Sequence, residues 1–186
     1  MQTGSLLSLY RHEARLTQGE TCARLGCTQS VLSKWEKNGI PERQRQRVLD
    51  LIMPILERAN RQAVIRATNG SPLNSAYLDT NLTVRAMSRS AAASFDLTPD
   101  DCIGRNMRDI NPLPEIETFF WNFLRRGMFS GQCSQAFLHG IRYRGLVYSM
   151  RIVPIGLEIE GRQGITYTFT VDDRHTELKE IIQDAY

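Results

Sequence analysis

A chain of 186 residues, 41% apolar and 23% charged, suffices for one ordinary domain or two small ones. No run approaches the roughly 18 apolar residues of a membrane span, and Met1 to Ser8 lack the basic start and apolar stretch of a signal peptide. A cytoplasmic protein with no membrane partner is therefore expected. The net charge of +3 is uneven: residues 1–70 carry 11 Lys/Arg against 6 Asp/Glu, and residues 71–186 carry 12 against 14. A basic head on a mildly acidic body suits nucleic-acid binding by the head, although charge alone decides nothing.

In chain order, Leu6 and Leu9 are one helical turn apart and are expected on one face. Thr17 is a good N-cap, and Glu20 three residues later completes a capping box. The helix it opens runs through Cys22 and Leu25, and Gly26 ends it in a sharp turn. Thr28 caps a second helix, Gln29 to Glu36. Leu32 and Trp35, at i and i+3, face its core. Gln29, Ser30, Ser33 and Lys34 fall on the other side, with the donors and acceptors that base edges in a major groove require.

The stretch Leu16–Glu36 resembles the phage Cro/repressor (XRE) type of helix-turn-helix. The matching elements are the Thr17-Gln18 opening, the Leu25-Gly26 turn, the Thr28-Gln29-Ser30 start and the Lys34-Trp35-Glu36 end. The resemblance implies an all-α DNA-binding domain at 1–40. Gln29, Ser30 and Lys34 would touch bases, with Ser33 beside them. Gln18 would bond a phosphate and steady Gln29. Asn38 would contact the backbone, joined there by Thr28 and Arg43. Thr21, where a large apolar residue is usual, and Gly19, in the first helical turn, depart from the pattern and are expected to weaken packing.

Residues 41–70 read as a helical connector. Pro41 can open it. Arg43, Arg45 and Arg47 either neutralise phosphates or form a solvated face. Val48, Ile52, Ile55 and Ala59 form a short seam, which either packs on its own head or joins two chains. A homodimer is favoured, because two-fold operators need two-fold proteins. Pro54 either kinks this helix or starts a new one. Ala67 to Pro72 reads as a turn-prone linker.

Beyond it, residues 71–186 switch to mixed helices and strands. The expected order is a hairpin at Tyr77–Val84 with Asp79 to Asn81 in the turn, a helix at Ser88–Phe95, and a longer helix at Pro114–Arg126. Strands follow at Gln132–His139, Arg142–Pro154 and Gly164–Val171, and a final helix at Glu177–Tyr186. Asp100 to Ile110, with its acid-acid-apolar-Ile-Gly-Arg run, resembles a segment of PAS sensor domains. Val171 to Glu180 resembles the PAS exit. The resemblance implies an α+β PAS-like domain, an antiparallel sheet with flanking helices, used for dimerisation or sensing. Met107 stands where flavin photosensors carry cysteine, and Met forms no flavin adduct. The long helix holds no His for haem, so no cofactor is expected. A small apolar ligand is a candidate partner for a pocket lined by Phe95, Phe119, Phe123 and Met150, against the reading of a filled core.

Cys22, Cys27, Cys102 and Cys133 include no C-x-x-C pair and read as small buried hydrophobes; no metal site is expected. The closest acidic and histidine cluster, Asp172-Asp173 with His175, falls at an expected turn, and no catalytic motif is present, so no enzyme is expected. Two functions follow: a transcriptional regulator binding a double-stranded DNA operator, or an adaptor whose helical head binds a protein.

Overall fold

The computed structural model describes residues 3–111, 113–130, 132–155, 164–171 and 177–184. The chain divides into two compact units, Met1–Ala63 and Val64–Tyr186.

The first unit holds α1 (Thr3–Glu13), α2 (Gln18–Leu25), α3 (Gln29–Asn38) and most of α4 (Glu42–Asn69). Leu6, Leu7 and Tyr10 form the buried face of α1, whereas Leu9 is 39% exposed. The apolar stripe is therefore turned away from the expected Leu6–Leu9 pair, because Tyr10 at i+4 shares the Leu6 face. Arg11 Nε donates to Glu36 Oε1 at 3.1 Å, tying α1 to α3. The capping box forms: the Glu20 amide donates to the Thr17 hydroxyl at 3.3 Å, and the Thr17 amide donates to the Glu20 carboxylate at 2.8 Å. The Thr17 amide and hydroxyl hold the Glu20 carboxyl below its usual range. Thr21 does not weaken the packing as expected. It is fully buried, and its hydroxyl donates to the Thr17 carbonyl at 2.8 Å, so the polar atom is satisfied.

The end of α2 turns on one carbonyl. Gly26 adopts φ +62°, and its amide and that of Cys27 (3.0 Å) both donate to Cys22 O. This is a left-handed cap with a 5→1 and a 6→1 bond on one carbonyl, and it needs a residue free of a Cβ penalty at the left-handed position. It sets Cys27 against Cys22, and burial first, then the neighbouring thiol, push the Cys27 thiol up. The Arg47 guanidinium donates to the Leu25 carbonyl and fastens α4 to the same turn.

Helix α4 starts one residue after Pro41 and carries Pro54 without a break. Val48 and Ile52 are fully buried within the chain, with Met53 and Leu56; Ile55 and Ala59 are half-buried. The first half of the expected seam is thus buried within the chain. The helix also runs on to Asn69, so the linker expected at 67–72 shrinks to 70–73.

In the second unit, an antiparallel sheet has the order β2-β1-β5-β4-β3-β6. Its strands are β1 (Asn74–Asp79), β2 (Val84–Met87), β3 (Cys133–Tyr143), β4 (Leu146–Ile155), β5 (Gly164–Val171) and β6 (Lys179–Asp184). Between β2 and β3 lie α5 (Arg89–Ala93), α6 (Pro99–Cys102), α7 (Met107–Ile110) and α8 (Pro114–Arg125). Ala76, Leu78, Ala136, Ile152, Ile165 and Tyr167 of the sheet join Ile116, Phe119, Phe120 and Phe123 of α8 in one core.

Two strand expectations change. The run Arg142–Pro154 is broken at Arg144-Gly145, a two-residue hairpin turn with φ +50° and +79°. The expected break near Gly140 is instead a bulge inside β3, where φ is +71° and a side chain would strike the Glu177 carbonyl. The final segment, expected as a helix, is β6: Ile181 and Ile182 pair opposite Phe137 and Ala136. Strand pairing overrides local helical preference there. The Asp172, Asp173 and His175 cluster and half of the expected PAS exit lie outside the described residues.

Asp79 organises the β1–β2 turn. Its carboxylate accepts from the amides of Asn81 (2.9 Å) and Thr83 (3.0 Å) and from Arg85 Nε (2.8 Å). Partial burial pushes this carboxyl up; the Thr83 amide, Arg85 and the Asn81 amide together outweigh it and leave it below the usual aspartate range. A depressed folded value stabilises above the unfolded value, about pH 4, and that stability is lost as pH falls through the folded one. Asp79→Asn is expected to lower the melting temperature at pH 7 and to flatten its decline below about pH 4, measured by circular dichroism. Thr17→Ala is expected to destabilise the first unit by about 1 kcal/mol in the same measurement.

Candidate nucleic-acid interface and an apolar cavity

Helix α3 has two unlike faces. Leu32 and Trp35 are buried; Gln29, Ser30, Ser33, Lys34 and Asn38 are exposed. Lys37, also exposed, extends this stripe by helical spacing from Ser33 and Lys34. It was not singled out in the sequence, although its i+4 and i+3 offsets carry the signal. Thr28 caps α3: its hydroxyl accepts the Val31 amide at 3.4 Å and meets the Ser30 hydroxyl at 3.0 Å. Gln18 is exposed at the start of α2, and Arg43 in the first turn of α4. Among the described residues no hydrogen bond joins Gln18 to Gln29. Of the three arginines in α4's first turns, Arg47 is spent on the Leu25 carbonyl and Arg45 pairs with Glu42, so Arg43 alone keeps the phosphate-facing reading.

Chemically, this stripe offers two carboxamides, two hydroxyls and two ammonium groups. A carboxamide can make paired bonds to a base edge, and ammonium groups neutralise phosphates. The amides in the first turn of α3 add partial positive charge at the same end.

The second unit contains a cavity of about 30 Å³ beneath the β3–β4 hairpin. Phe95 and Met150 line it as expected. Phe119 and Phe123 do not: both are fully buried in the core, their rings stacked at 6.4 Å. Their one-face spacing on α8 marks core, and the cavity lies off that face. Ile116, Tyr148, Phe169 and Asn111 complete the essential lining, and Asn111 was missed because nothing local distinguishes it from a helix-capping residue. Asn111 is 8% exposed, and its Oδ1 has no hydrogen-bond partner. Met107 accepts the Tyr167 hydroxyl on its sulfur at 3.3 Å. Burial pushes that hydroxyl up, so it stays a donor.

All four cysteines are free; Cys22, Cys102 and Cys133 are buried and Cys27 is half-buried. Among the described residues no group of three His, Cys, Asp or Glu could hold a metal ion, and no helix is long and apolar enough to cross a membrane.

No family model and no curated protein matches the chain. Among solved structures, the PAS domain of BvgS from Bordetella pertussis superposes with a TM-score of 0.50 at 15% identity, covering 61% of this chain and 86% of that one. The second unit has a PAS-like fold. Weaker likenesses are VqmA of Vibrio cholerae in a ligand–DNA complex (TM-score 0.45, 16% identity, 59% of this chain and 50% of that one) and a PAS domain from Colwellia psychrerythraea (0.46, 10%, 61% and 98%).

Within the PAS-like domain, the core and cavity aromatics should separate on mutation. Phe119→Ala is expected to cost about 3–5 kcal/mol in urea unfolding, because a fully buried ring leaves a void. Phe95→Ala, at a half-exposed position, should cost under about 2 kcal/mol. The reverse order would contradict the assignment of the two rings.

Proposed function

We propose that the chain is a sequence-specific DNA-binding transcriptional regulator, without catalytic activity of its own, that acts as a homodimer. Its first unit is the helix-turn-helix reading head, and its PAS-like domain serves dimerisation or signal sensing. The observation that carries this reading is the exposed stripe Gln29, Ser30, Ser33, Lys34 and Lys37 on a helix whose opposite face is core. Gln29, Ser30 and Lys34 are the base readers; Gln18, Thr28, Asn38 and Arg43 contact the backbone. In a dimer, two such helices enter successive major grooves about 34 Å apart. The exposed Leu51 (47%) and the half-buried Ile55 one turn on are the pairing surface left on α4.

A duplex site is first selected from a randomised library with the full chain. On that site, Gln29→Ala/Lys34→Ala is expected to lose at least about tenfold in affinity by mobility shift, since each base contact contributes about 1–3 kcal/mol. Lys37→Ala should weaken binding to all duplexes alike and lower the salt slope by about one. Unchanged binding in the double variant would sink the specific reader and favour a protein-binding adaptor. Light scattering should show a dimer at micromolar concentration that Leu51→Glu weakens.

A further inference from the structure

The cavity of the PAS-like domain carries three features that together describe a ligand. First, Asn111 lines it with a nearly buried side chain whose Oδ1 has no protein partner. A buried acceptor without a bond is costly, so the site selects a molecule that brings a donor. Second, among the described residues no charged side chain lines the cavity. An ion there would lose its hydration without compensation. Third, much of the wall is aromatic: Phe169 stands 6.0 Å from Phe95 and 5.9 Å from Tyr148, ring centre to ring centre. Such walls suit a planar guest.

At about 30 Å³ the cavity admits one or two waters and no ring. Entry requires the mouth to move. The buried residues Met150, Ile141 and Ile116 form the floor, and the half-exposed Phe95 and Tyr143 form the rim, with centroids 6.1 Å apart. Each rim ring precedes one member of an ion pair: Asp96 Oδ2 and Arg144 Nη1 are 2.6 Å apart. Both residues hold positive φ, +58° and +50°. Arg144 occupies a turn position that Asn fills with less strain, and its guanidinium also lies 5.2 Å from the centre of the Tyr143 ring. So exposed a pair, next in sequence to both rim rings, opens readily.

We propose that this cavity binds a small, planar, uncharged molecule through an N–H or O–H donated to Asn111 Oδ1, admitted when the Asp96–Arg144 latch opens and Phe95 and Tyr143 part. The inference rests on the sensing role proposed above.

The test uses the full chain without DNA, so its outcome is independent of operator binding. Phenol and indole are compared with anisole and 1-methylindole, which lack the donor, by amide chemical-shift titration. Phenol or indole should bind at least about fivefold more tightly than its methylated partner, with shifts at Ile141 and Tyr148. Asn111→Leu should erase that preference without lowering the melting temperature. Arg144→Asn, which keeps the turn and removes the latch, should raise the association and dissociation rates severalfold and change Kd by less than about twofold. Equal affinity for donor and methylated probes, or no binding of phenol and indole at millimolar concentration, overturns the ligand class. Unchanged rates in Arg144→Asn overturn the latch.

Discussion

The inner face of the sheet has to be covered, and the segment 88–132 is the main helical material that covers it in the second unit. Only α8 in that segment is long enough to lay a row of aromatic rings across β-strands. The others are single turns held by caps: Ser88, Thr98 and Asn106 each accept a backbone amide. Short capped turns cannot interdigitate as a long helix does, so packing is tight under Phe119 and Phe123 and incomplete at the hairpin end. The cavity, its orphan Asn111 oxygen and the ion-paired rim are consequences of that uneven cover.

A different constraint governs the first unit. Helix α3 can present a polar stripe only if its other face is bound firmly, and its direction is set at the Cys22 carbonyl. Two amides, those of Gly26 and Cys27, converge there, and Arg47 fastens the next carbonyl, Leu25, from α4. Thr21, which departs from the expected pattern, and Arg47, a candidate phosphate contact, are both absorbed in this way. Thr21 closes its hydroxyl onto the preceding turn, and Arg47 acts as a structural clamp, which removes it from the phosphate-facing set.

Most of the element order was legible, because caps and periodicity are local. Thr17, Thr28 and Ser88 each announce a helix start in the sequence, and all three cap one. What was illegible depended on partners far along the chain. The segment at Lys179 reads as helix until β3 offers it a strand edge. The turn at Arg144-Gly145 was hidden because Arg is an unusual residue for it, and its partner Asp96 lies far away in sequence. In the polar stripe, the residues named from the sequence are exposed together on α3 or beside it, since one helix face is a local property. In the cavity, Phe95 and Met150 were found, and Phe119 and Phe123 were misassigned, because aromatic spacing alone does not distinguish a filled core from its neighbouring gap.

The central claim is that α3 reads DNA as one of a pair. Hydroxyl-radical footprinting of the full chain on a selected duplex tests it most directly. The account predicts two protected patches on one face of the duplex, about one helical turn (roughly 34 Å) apart. Both patches should disappear together in Gln29→Ala/Lys34→Ala. A uniform cleavage pattern, or protection that survives in that variant, would contradict it.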